Sequence, residues 1–182
     1  MRGYTIIELL TVLAMMALLI SYAPGITQTW VAHHRMQTQR ATFLSAINTA
    51  RTSAIFHNRA VTVCPATVSG CGPRDAWHAG TLVFFDTNGN RRVDGGEKII
   101  TRVAKLQHAR VRWRSFRNRT YLKFTGRGLT DWQNGHFLFC HRNGDPRLAR
   151  SVTLNYAGRT YPSFDRDGDG VHENAQGVAL RC

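Results

Sequence analysis

The chain has 182 residues, 43% of them apolar, which suits one membrane helix and one globular domain of ordinary size. Aromatic and aliphatic residues run throughout, so the composition excludes a disordered chain. The formal net charge is +13, nearly all from arginine, since the only lysines are Lys98, Lys105 and Lys123. Such a field attracts polyanions and anionic membrane surfaces, and it equally suits a solvated, self-repelling surface.

The first element is an apolar run over residues 4–23, about 20 residues, enough to span a bilayer core. Arg2 before it would stay on the cytoplasmic side. A secretory signal would need a small-x-small cleavage site after the run, and Ser21-Tyr22-Ala23-Pro24-Gly25 is a poor one. Glu8 interrupts the run. A carboxylate inside a membrane helix costs about 2.5–3.5 kcal/mol, whereas the nine Leu, Ile and Val residues between Ile6 and Ile20 return roughly 3–5 kcal/mol. The segment is therefore expected to insert, with Glu8 a costly charge in search of a partner.

The stretch Gly3-Tyr4-Thr5-Ile6-Ile7-Glu8-Leu9-Leu10 resembles the type IV pilin signature. The resemblance implies that prepilin peptidase cuts after Gly3, that the new N-terminal Tyr4 is methylated on its amine, and that Glu8 pairs with the N-terminal amine of a neighbouring subunit. Tyr4 departs from the Phe usual at the first mature position, and the three-residue leader is short.

Pro24 and Gly25 should kink or loosen the helix as it leaves the apolar run. Beyond them Trp30, Met36, Phe43, Leu44, Ile47, Ala50 and Ala54 fall near helical spacing, with Arg35, Gln39, Arg40 and Arg51 elsewhere. This predicts an amphipathic helix over 24–58, packed on the following domain.

From about residue 59 the pattern changes to short apolar runs broken by Gly, Asn, Asp and Pro. Strands are expected over 60–64, 80–86, 98–104, 110–114, 121–124, 136–140, 151–155 and 177–180. With no second long helical pattern, an antiparallel arrangement is favoured over a βαβ sheet. Four cysteines make up two candidate pairs, Cys64 with the nearby Cys71 and Cys140 with the distant Cys182. The even count and the export-type start favour disulfides over metal, although the sequence leaves the pairing open. In the loop-entropy picture the short bridge is worth about 2.5 kcal/mol and the long one about 4 kcal/mol.

The domain resembles the GspH/FimT family of pseudopilins and minor pilins. The residues that carry the likeness are Val61-Thr62-Val63-Cys64 with Cys71, Gly80-Thr81-Leu82-Val83-Phe84-Phe85-Asp86 and the loop from Asp86 to Glu97. Phe137-Leu138-Phe139-Cys140 and Leu154-Asn155-Tyr156-Ala157-Gly158-Arg159 complete the set. The resemblance implies an α+β, pilin-like fold: a long N-terminal helix, half membrane and half amphipathic, packed on an antiparallel β domain. Residues 1–3 would be the leader, 4–23 the transmembrane and assembly helix, 24–58 the amphipathic helix and 59–182 the periplasmic domain. The expected function is that of a minor pilin or pseudopilin of a type IV pilus or type II secretion system, structural and priming filament assembly. Its partners would be other minor and major subunits, prepilin peptidase and the inner membrane.

Two further sites are expected. Arg110, Arg112 and Arg114 alternate with Val111 and Trp113, so on a strand they share one face. Arg117, Arg119, Lys123 and Arg127 follow, with Phe116 and Tyr121 interleaved, a pattern that could hold phosphates and stack on bases. Some members of the FimT branch bind DNA in natural transformation through a C-terminal G-R-x-R motif, of which only Gly158 and Arg159 transfer, because Tyr161 replaces the second Arg. DNA is therefore the alternative partner. The second site is acidic. Asp165, Asp167 and Asp169 alternate before Gly170, and Glu173 follows, a spacing that curls oxygen ligands around a hard cation such as Ca2+. Position twelve of such a loop is Gln176 rather than Glu. Asp86, Asn88, Asn90, Asp94 and Glu97 repeat the spacing with Arg91 in place of the turn glycine. Either loop could instead be an Asx-rich turn. Of the catalytic signatures, none of G-x-S-x-G, the P-loop, H-E-x-x-H or the dinucleotide fingerprint is present.

Overall fold

The computed structural model describes residues 5–182, apart from the side chains of residues 22–27. The processing positions Gly3 and Tyr4 lie outside the described residues. The chain divides into two units, one up to Arg35 and one spanning Met36–Cys182.

One helix, α1 (Ile6–His57), crosses both units and runs unbroken through Pro24 and Gly25. Thr5 opens it: the Glu8 amide donates to the Thr5 carbonyl at 3.1 Å and to its hydroxyl at 3.3 Å, the N-cap half of a capping box. Asn58 closes it in the left-handed conformation (φ 47°). Its amide bonds the Ile55 carbonyl and the Arg59 amide bonds the Ala54 carbonyl, the paired bonds of a Schellman end.

In the first unit every described side chain from Thr5 to Ser21 is exposed. Among the described residues no helix is long and apolar enough to cross a membrane.

In the second unit Met36, Phe43, Ile47, Ala50 and Ala54 are buried on one face of α1, as the spacing predicts. Trp30 is 71% exposed instead. Six residues before Met36, it sits about 120° round the helix from the buried stripe.

Eight strands follow, all paired antiparallel: β1 (Val61–Pro65), β2 (Thr81–Phe85), β3 (Ile99–Val103), β4 (Ala109–Ser115), β5 (Leu122–Phe124), β6 (Gly135–His141), β7 (Arg150–Leu154) and β8 (Thr160–Pro162). They form two four-stranded sheets, ordered β3-β2-β1-β5 and β4-β6-β7-β8. The architecture is α+β, with the helix packed on antiparallel sheets. The strand expected over 177–180 does not form: Ala179 makes one isolated bridge, to Glu173, because a tight turn bonding the Gly177 amide to the Asn174 carbonyl starts it. The short β8 is not expected from the sequence, because Thr160, Tyr161 and Pro162 make no apolar run.

The pleat of the second sheet turns Val111, Trp113, Phe137, Phe139, Val152 and Leu154 inward, all buried. Phe43 of α1 lies among them, edge-on to Phe137 (4.7 Å between ring centres), Phe139 (5.3 Å) and Trp77 (5.9 Å). Trp113 stacks on Phe137 at 4.1 Å. β1 and β2 are buried on both faces. Cys64, Leu82 and Phe84 carry a second small core with Val93, Ile99 and Tyr121, closed over by the Cys64–Cys71 disulfide.

Truncating Phe43 removes the helix from this aromatic cluster. Phe43→Ala is expected to cost about 3–5 kcal/mol, a melting temperature lower by roughly 10 °C in a near-ultraviolet circular dichroism melt of the full chain in detergent. A drop under about 2 °C would contradict the packing.

Candidate functional site

The exposed first unit carries Glu8. With Thr5 as N-cap, Glu8 stands at the third helical position, where a carboxylate meets the positive end of the helix dipole. The S/T-x-x-E spacing of Thr5 and Glu8 is the sequence signal for this cap.

The basic residues fall into three groups. Arg110, Arg112 and Arg114 are exposed on the outer face of the second sheet, opposite Cys140, Leu138 and His136 of β6. The shared face is as expected, but it is not open. The C-terminal segment crosses it, tied by the Cys140–Cys182 disulfide (Cα–Cα 5.5 Å) and by the buried Leu180, so that Asn174, Leu180 and Arg181 line a cleft with Arg112, Arg114 and His136. Burial, with the Arg114 guanidinium second, holds the His136 imidazole below the usual histidine value.

The second group uses its aromatics internally. Arg117 lies over Phe116, and Arg91 and Arg119 both lie over Tyr121, with the Arg119 Nη1 donating to the Tyr121 hydroxyl at 3.2 Å. Lys123, half-buried on β5, reaches toward Gly89 in the first acidic loop.

The third group sits on two adjoining turns. Arg127 and Arg159 are both exposed. Arg51 of α1 pins their turns together, Nε donating to the Gly128 carbonyl and Nη2 to the Ala157 carbonyl, each at 3.1 Å. Gly158 has φ +73°, and a Cβ there would meet the Gly128 carbonyl at 2.5 Å. Close approach of the two turns thus explains Gly158 without any ligand. Beside them Trp132 and Tyr156 pair their rings at 4.9 Å, 60% and 42% exposed. The Thr130 amide and hydroxyl both donate to the Tyr156 carbonyl, at 3.0 and 3.2 Å, and so join their loops. The pair is not legible in sequence, because its members are 24 residues apart and Trp132 lies outside the stretches that carry the family likeness.

The first acidic loop closes on itself. The Asn88 and Asn90 side-chain amides donate to the two Asp94 oxygens at 3.2 and 2.7 Å, and Asp86 accepts from the Thr62 hydroxyl at 2.6 Å. Amide hydrogens stand where a cation would need oxygens, so the Asx-turn reading holds there. In the second loop Asp165, Asp167, Asp169 and Glu173 each bring a carboxylate oxygen within 4.8 Å of the others. All four predicted residues come together.

The family model described as "Type II transport protein GspH" matches residues 39–158. The chain belongs to the GspH family. Two solved structures of the Pseudomonas aeruginosa (strain PAO1) type IV minor pilin FimU, in space groups P21 and P65, are similar at 16% identity. Their TM-scores are 0.48 and 0.49, covering 75% and 69% of this chain and 90% of theirs. No curated protein matches.

Proposed function

We propose that the chain is a minor subunit that joins and primes a type IV pilus or type II secretion pseudopilus through the first half of α1. The observation that carries this is the bare helix. From Ile6 to Ile20 its large apolar side chains are 49–80% exposed, far more continuous apolar surface than a soluble monomer keeps. Such a surface is covered by lipid before assembly and by neighbouring subunits afterwards, with the domain in the periplasm. Glu8 fits this account, because a carboxylate in an apolar bundle needs a countercharge, and the processed N-terminal amine of a neighbour would supply it. Prepilin peptidase would create that amine by cutting after Gly3.

A second reading, DNA capture on the same scaffold, is favoured by Trp132 and Tyr156. An exposed aromatic pair beside the Arg127 and Arg159 turns offers a base a stacking surface and a phosphate two cations. The outer Arg110, Arg112 and Arg114 face would add non-specific attraction.

Mass spectrometry of the mature protein is expected to find an N-terminus at Tyr4 carrying one methyl group; an N-terminus near Ala23 or Pro24 would refute the assembly reading. In low-salt band shifts with single-stranded DNA, the Trp132→Ala, Tyr156→Ala double variant should bind about tenfold or more weakly. Absent binding by the wild-type chain, or equal binding by the variant, would remove the DNA reading.

A further inference from the structure

The second acidic loop has chemistry that the filament role does not use. It starts at Phe164, two residues past β8, and returns at Glu173, whose amide bonds the Phe164 carbonyl at 2.9 Å. Within it, backbone amides fold the carboxylates inward. Asp165 accepts from Gly168 (2.8 Å) and Gly170 (3.0 Å), Asp167 from Asp169 (3.2 Å) and Asp169 from Val171 (2.7 Å). Gly170, at the sixth position, takes φ +87°, the sharp turn that oxygen-donor cation loops need there.

Those bonds alone would describe a turn. Glu173 is the separate observation. It is 6% exposed, and its Oε2 accepts from the Arg166 amide at 2.8 Å. Its Oε1 is buried and has no hydrogen-bond partner, although it belongs to a side chain grouped with the three aspartates. An ionised oxygen shut away from water is costly unless something positive meets it. Arg150 and His172 both interact electrostatically with Asp165, and the Arg150 Nη1 donates to the Arg147 and Ala149 carbonyls.

We propose that the Asp165, Asp167, Asp169 and Glu173 carboxylates bind one Ca2+ ion. Carboxylates at positions one, three, five and nine match the oxygen ligands that Ca2+ takes, and the Val171 carbonyl stands at the seventh position, which supplies a main-chain oxygen in such loops. Mg2+, smaller and reluctant to shed water, suits this set less well. The consequence reaches beyond the loop. Glu173 leads directly into the segment that Cys182 ties to Cys140 across Arg112 and Arg114. A bound ion would therefore order the strap over the basic face.

Calorimetric titration of the full chain in detergent with calcium chloride tests this. The expected result is saturable binding of one Ca2+ per chain, a higher melting temperature in Ca2+ than in EDTA, and much weaker response to Mg2+. The Asp167→Asn, Asp169→Asn double variant, altered only at exposed positions, should bind at least about tenfold more weakly while melting like the wild type in EDTA. Glu173→Gln should weaken binding likewise. No saturable heat and no melting shift in millimolar Ca2+, equal responses to Mg2+ and Ca2+, or undiminished binding by the double variant would overturn the proposal.

Discussion

The packing of the helix on the second sheet depends on Phe43. One side chain of α1 touches three aromatic rings, two on β6 and one in the 3-10 turn before β2, and so fixes where the helix meets the second sheet. Ala46, Ala50 and Ala54 are buried along the same helix. Edge-on aromatic contacts add directional preference to an otherwise non-directional burial.

Around that centre the loops are held by polar bonds rather than by more core. Arg51 reaches from α1 to two carbonyls on separate turns, and Thr62 anchors the buried Asp86. The Cys140–Cys182 disulfide holds the last residues of the chain against β6. These ties bring the exposed Trp132 and Tyr156 together and lay the C-terminal segment over the arginine face. The loops thus decide which basic side chains stand together.

Much of this was readable in advance. Seven strands came from short apolar runs between turn residues, because their period is written in side chains that must be buried. The alternate arginines of β4 were legible for the same reason. β8 was not, since its pairing rests on backbone bonds to β7 rather than on apolar content. Nor was the division of the basic residues, because Lys123 and Arg114 are near in sequence yet belong to different sheets. Arg51 read as a solvated helix residue, and its two carbonyl partners lie 77 and 106 positions away. The acidic loop was the reverse case: a local motif whose spacing alone brings its carboxylates together.

Membership of the GspH family and the bare apolar first half of α1 lead to the same account, a subunit whose helix is completed by others. In that account Glu8 and the neighbour's amine are the polar contact within an apolar bundle. A photocrosslinking amino acid in place of Leu13, incorporated in cells that assemble the filament, tests it most directly. The account predicts adducts with other pilin or pseudopilin subunits in the sheared filament fraction, lost when Glu8→Ala is added. Adducts only with lipid, in a chain that is processed and stable, would contradict it.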